Sequence, residues 1–150
     1  MTTTHEVFIR EAIHLAEQAV QHGNHPFGAL LVNQGQVLLR AENTVNSGGD
    51  VTHHAELNLV SRASQQFSPE ILSQCTLYTS TEPCAMCSGA IYWAGIPTVV
   101  FACSNQTLGQ IATGNLAISS QEVLAQGSRL TEVIGPILEE EAVRIHQDFW

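Results

Sequence analysis

The chain has 150 residues, 44% of them apolar, which is enough for one domain with a full hydrophobic core. Its basic residues are five arginines and no lysine, set against fourteen acidic residues, for a formal net charge of −9. Arg10, Arg40, Arg62, Arg129 and Arg144 form no run, which argues against nucleic acid as a partner. No stretch of about 18 apolar residues predicts a membrane span, and no basic-then-apolar leader is seen at Met1–Glu6, so a cytoplasmic location is expected.

Residues 6–22 place Ile9, Ile13, Ala16 and Val20 on one helical face, and Gly23 ends that predicted helix. Ala29–Val32 and Val37–Leu39 read as two strands of a hairpin joined by the Asn33-Gln34-Gly35-Gln36 turn. Asn46–Asp50 reads as a flexible loop. A helix follows over 54–66, with Pro69 in the loop beyond it. Cys75–Thr79 is a predicted strand. Pro83 suits the first position of a helix that runs to Ala94, where Gly95 and Pro97 stop it. Thr98–Ala102 reads as a strand and 104–121 as an irregular loop with at most one helical turn. A short strand near Arg129–Ile134 and a terminal helix over Pro136–Phe149 complete the chain. Strands alternating with helices imply an α/β fold with a sheet covered on both faces, in one domain spanning 1–150.

Without a secretion signal, four cysteines read as metal ligands or buried thiols and not as a disulfide framework. Cys75 and Cys103 lie in apolar, strand-like runs and are expected to be small buried hydrophobes. Cys84 and Cys87 differ. At that spacing on a first helical turn their β-carbons lie roughly 5–6 Å apart, and the helix N-terminus favours thiolates. His54 and Glu56 fall at the start of another predicted helix, where side chains can point past its end. His54, Cys84 and Cys87 then have the chemistry of a zinc site with one tetrahedral position open, as in catalytic zinc. Such an ion lowers the pKa of a water toward about 7. Glu56, not itself a ligand, would shuttle protons to a ring nitrogen and a departing amine. His-x-Glu followed by Pro-Cys-x-x-Cys is similar to the signature of zinc deaminases.

The block Leu77–Ala94 around this motif resembles the cytidine deaminase-like superfamily of zinc deaminases, and within it the bacterial guanine deaminases most. The likeness runs from Pro26-Phe27-Gly28 to about Phe101. It implies a three-layer α/β/α fold with a five-stranded mixed sheet, a homodimer and one Zn²⁺ per subunit. It implies His54, Cys84 and Cys87 as ligands and Glu56 as the proton shuttle. It also implies substrate contacts from Asn43, Phe27, Trp93 and Ala55. The expected activity is hydrolytic deamination of a free nucleobase or similar small amino-heterocycle, guanine first, with cytosine, adenine or a nucleoside behind it.

One departure bears on the substrate. The region Gln110–Asn115 has no carboxylate where the guanine deaminases carry an acidic pair that reads guanine's amino and ring N–H groups. Asp148, in the aromatic tail His146–Trp150, is one candidate replacement, and that tail could equally close the site or pack on the core. His25 is expected to face solvent; the role of His53 stays open. Two further readings compete: tRNA adenosine deamination, which the lysine-free composition opposes, and a non-catalytic zinc module. The module requires a fourth protein ligand: Cys75, Cys103 or another histidine.

Overall fold

A computed structural model describes residues 3–150. It begins with α1 (Thr4–Gln21), capped by Thr3, whose side chain accepts from the Glu6 N–H. The hairpin β1 (Gly28–Asn33) and β2 (Gln36–Glu42) follows. Next come α2 (Val45–Gly48), α3 (Ala55–Gln66), α4 (Pro69–Leu72) and β3 (Thr76–Thr81). The second half is α5 (Ala85–Ala94), β4 (Thr98–Cys103), α6 (Asn105–Ile111), α7 (Ser120–Leu124), β5 (Glu132–Ile134) and α8 (Glu139–Phe149).

The five strands form one mixed sheet in the order β2-β1-β3-β4-β5. β1 is antiparallel to both β2 and β3, whereas β3–β4 and β4–β5 are parallel. Strand alternation splits the core in two. Leu30, Val32, Tyr78, Val100 and Ala102 meet α1, α6 and α8 on one face. Ala29, Leu31, Leu77 and Val99 meet α3 and α5 on the other. This is the expected three-layer α/β/α arrangement. At Gly28 the first layer presses close: a β-carbon there would lie 2.5 Å from Ala12 O and 2.6 Å from Ala16 N. Only glycine lets α1 approach the sheet at that point.

Four local readings change. The 46–50 loop begins with a one-turn helix, α2, pinned where Ser47 N–H donates to Asn24 Oδ1 at 2.9 Å and Asn24 Nδ2 donates to Ser47 Oγ at 3.1 Å. Pro69 is helical, at the start of α4 with Ser68 as its cap. The irregular stretch 104–121 contains two helices, α6 and α7, capped by Ser104 and Ser119. Pro83 lies one residue before the N-cap of α5 rather than at its first position, because Cys84 keeps extended backbone angles (φ −68°, ψ 175°). No helix among the described residues is long and apolar enough to cross a membrane.

Candidate active site

Two helix N-termini meet at the carboxyl end of β3. His54 is the N-cap of α3 and Cys84 the N-cap of α5, both extended and neither using its side chain to cap its own helix. N-caps are normally Ser, Thr, Asp or Asn, whose oxygens satisfy the free N–H groups of the first turn. An imidazole and a thiol at these positions leave their donor atoms facing each other instead. Cys87, in the first turn of α5, is fully buried beside them.

His54 Nδ1 lies 3.6 Å from Cys84 Sγ and 3.6 Å from Cys87 Sγ. All three donor atoms fall within 4.8 Å of one another. Tetrahedral zinc with Zn–N near 2.0 Å and Zn–S near 2.3 Å sets nitrogen and sulfur about 3.6 Å apart. The residues present therefore fit a zinc ion. Cys75 and Cys103 do not join the group; both are buried, as expected, and burial raises both thiol pKa values. The fourth protein ligand that a closed structural site needs is not found among the described residues.

The thiols divide their protons unequally. A hydrogen bond from Cys87, then one from His54, holds Cys84 down at about 4. The same bond to Cys84, together with burial, pushes Cys87 up. The Cys84 thiol also raises the pKa of His54. Glu56 sits one residue further into α3 than Ala55, almost wholly buried, and burial followed by the charge on Cys84 lifts its carboxyl to about 7. A divalent cation on the three donors opposes the upward shifts of Cys87, His54 and Glu56 and reinforces the downward shift of Cys84, since positive charge favours thiolate, carboxylate and neutral imidazole alike.

A cavity of about 230 Å³ opens beside this group. Phe27, His54, Glu56 and Cys84 line it, as the sequence suggests, and so do Thr81, Glu82, Asn105, Leu108, Asn115 and Leu116. Three expected substrate contacts are not among the residues that line it. Trp93 is 84% exposed on the outer face of α5, because Cys87 and Ile91 turn the opposite face inward and Trp93 falls two residues beyond Ile91. Asn43 is buried with its Oδ1 accepting from the Val45 N–H at 3.0 Å, a turn-closing role. Ala55 is buried in the core between α3 and the sheet. Asp148 lines a groove between α1 and α8, so it does not supply a carboxylate here.

Sequence reasoning missed Glu82. Its carboxylate accepts from Asn105 N–H at 2.9 Å, Ser120 N–H at 2.8 Å and Ser120 Oγ at 2.6 Å. It thereby ties the motif loop to the first turns of α6, which walls the cavity, and α7. Its place two residues before Cys84 was the available signal. The tail packs on its own subunit: His146 is buried, and the ring of His25, expected in solvent, lies 5.5 Å from that of Trp150 and 5.9 Å from that of Phe149. His53 is partly exposed and pairs with Asp50 at 3.2 Å.

Residues 2–103 match the family described as the cytidine and deoxycytidylate deaminase zinc-binding region. A probable cytosine deaminase of Schizosaccharomyces pombe is 43% identical over 149 residues, covering 95% of this chain and 90% of that protein. A guanine deaminase of Bacillus subtilis is 41% identical over 104 residues, 69% of this chain and 66% of that protein. A solved structure of guanine deaminase from Nitrosomonas europaea superposes with a TM-score of 0.84 at 22% identity, covering 99% of this chain and 85% of that one. At that identity the likeness speaks for the fold alone.

Proposed function

Since the chain belongs to the cytidine and deoxycytidylate deaminase zinc-binding family, we propose that it hydrolytically deaminates a free nucleobase in a zinc-dependent reaction. The observation that carries this reading is Glu56, a buried carboxyl unbound to the three-donor group, lining the same small cavity as His54 and Cys84. A zinc ion held by His54, Cys84 and Cys87 would supply acidified water near neutral pH. Glu56 takes a proton from that water and delivers it to the ring nitrogen beside the amine-bearing carbon. The same carboxyl then takes the second proton, from the hydroxyl added to the carbon, and gives it to the departing amine. The carbon exchanges its C–N bond for a C–O bond, and water plus amine become an oxo group plus ammonia. Burial raises the carboxyl's proton affinity and the cation lowers it, a balance that suits a group that must both accept and donate a proton.

The cavity is below the ~300–1,000 Å³ typical of drug-sized ligands, which favours a bare base over a nucleoside. Phe27 offers an aromatic face for the ring. Between the bases, cytosine stands ahead of guanine. Guanine presents several N–H donors, and of the two carboxylates on the wall Glu56 is reserved for proton transfer while Glu82 is spent on Asn105 and Ser120. The S. pombe relative, similar over nearly the whole chain, carries a cytosine deaminase name. The acidic, lysine-free composition continues to oppose tRNA. A cytoplasmic homodimer accords with the resemblance, and a second copy would cover the exposed Trp93 and Leu130, which size-exclusion chromatography of wild type and Trp93→Ser would read.

The test is ammonia release by zinc-loaded protein from cytosine, guanine, adenine and their nucleosides, run beside Glu56→Gln. Release from a free base, with zinc retained and turnover lost in the variant, supports the reading. Release from none of them overturns it.

A further inference from the structure

The wall of the cavity contains a hydrogen-bond chain whose direction can be worked out from the groups present. Trp150 Nε1 donates to His146 Nδ1 at 3.0 Å, and His146 Nε2 lies 2.7 Å from Thr81 Oγ1. An indole N–H can only donate. Nδ1 must therefore carry a lone pair, and in a neutral ring the hydrogen then sits on Nε2. The opposite tautomer would set two N–H groups against each other. Burial keeps this imidazole neutral, its pKa pushed down to about 4. The ring of Phe27, 5.3 Å away between centroids, packs against the imidazole at a 56° tilt.

With Nε2–H donating, Thr81 Oγ1 is the acceptor in this pair, and its own hydrogen is left over. Among the described residues Oγ1 has no partner besides Nε2. Thr81 lines the cavity together with Phe27 and Glu56. The geometry points to Thr81 as a specificity residue whose hydroxyl, polarised by the Trp150–His146 pair, donates into the cavity to an acceptor on the substrate ring. The ligand class is an amino-heterocycle that also carries a carbonyl oxygen or a pyridine-type nitrogen, which cytosine offers at O2. Thr81 touches substrate; His146 and Trp150 are positioning residues that act through it. This role for Thr81 rests on the deaminase reading; the direction of the hydrogen bonds does not.

Two measurements on the zinc-loaded protein test the idea separately. ¹⁵N NMR of histidine-labelled protein should show His146 as the neutral Nε2–H tautomer, with Nδ1 accepting. An Nδ1–H or doubly protonated ring at neutral pH overturns the chain. Thr81→Val should lower kcat/KM for the base that wild type deaminates by about tenfold or more, the scale of one lost hydrogen bond to substrate. Thr81→Ser should restore it to within about threefold of wild type. Trp150→Phe should lower it partway and add nothing on top of Thr81→Val, a non-additivity that simple loss of packing does not produce. Equal kcat/KM for the Val and Ser variants sinks the role of Thr81. If wild type turns over no base, the substrate contact falls with the deaminase reading, while the NMR result still decides the polarity of the chain.

Discussion

Acid should destabilise this fold through His146 in particular. Its imidazole is 1% exposed, and burial lowers its pKa from the ordinary 6.5 to about 4. Each pH unit of difference in proton affinity is worth about 1.4 kcal/mol, so the buried ring contributes about 3 kcal/mol of pH-dependent stability. The sign follows from which state binds the proton better. The unfolded chain protonates first as pH falls, so the contribution is whole above pH 6.5 and is lost progressively down to about pH 4. The geometry agrees, because a proton on Nδ1 would face the Trp150 N–H head on.

The clean comparison is His146→Gln, whose amide keeps one acceptor for Trp150 and one donor for Thr81 but does not titrate. Zinc is also lost in acid, as protons compete for thiolates and imidazole, yet that loss is common to both proteins. Urea unfolding at a series of pH values should therefore give a stability difference that shifts by about 3 kcal/mol in favour of the variant between neutral pH and about pH 4. Curves that stay parallel to within about 0.5 kcal/mol would refute the assignment.

Gly28→Ala should cost about 3 kcal/mol or more in urea melts, since its new β-carbon meets backbone atoms of α1 that cannot step aside; wild-type stability would contradict the close approach. Glu82→Gln turns one carboxylate oxygen into an N–H facing a donor, which should cost about 2 kcal/mol and speed amide hydrogen exchange at Asn105 and Ser120 selectively. Unchanged protection there would mean that the carboxylate does not hold α6 and α7. Cys84→Ser should weaken zinc binding by at least about a hundredfold in competition with a chelator and abolish ammonia release; retained stoichiometric zinc would remove Cys84 from the ligand set.

Much of this was readable in the chain because its signals are local. The apolar stripe through Ile9, Ile13, Ala16 and Val20 marks α1 to within two residues at its start. The His-x-Glu and Pro-Cys-x-x-Cys spacings identify donor atoms that the fold then brings to 3.6 Å separations. What was unreadable depends on contacts between distant residues. The helices α6 and α7 are too short to show a hydrophobic period, and they are fixed by Glu82 from far upstream. Their caps were a usable clue, since Ser119 with Glu122 has the spacing of a capping box and Ser119 Oγ accepts from the Glu122 N–H at 3.1 Å. The placing of Trp93 depends on helical phase as well, since Cys87 and Ile91 turn it to the outer face of α5.

The same division separates chemistry from specificity. The donor group and Glu56 are set by two helix starts, α3 and α5, that pack against one face of the sheet. The wall opposite comes from Phe27, α6 and the 114–116 segment, and α8 backs it where His146 bonds to Thr81. Glu82 and Thr81, adjacent on the strand end that leads into the motif, are the joints between the two sets. A substitution beyond those joints can change which ring edge is read without moving a zinc donor. Relatives named for cytosine and for guanine stand at 43% and 41% identity to this chain, so overall likeness does not choose between those two bases, and the wall opposite the metal donors is where the choice is to be sought.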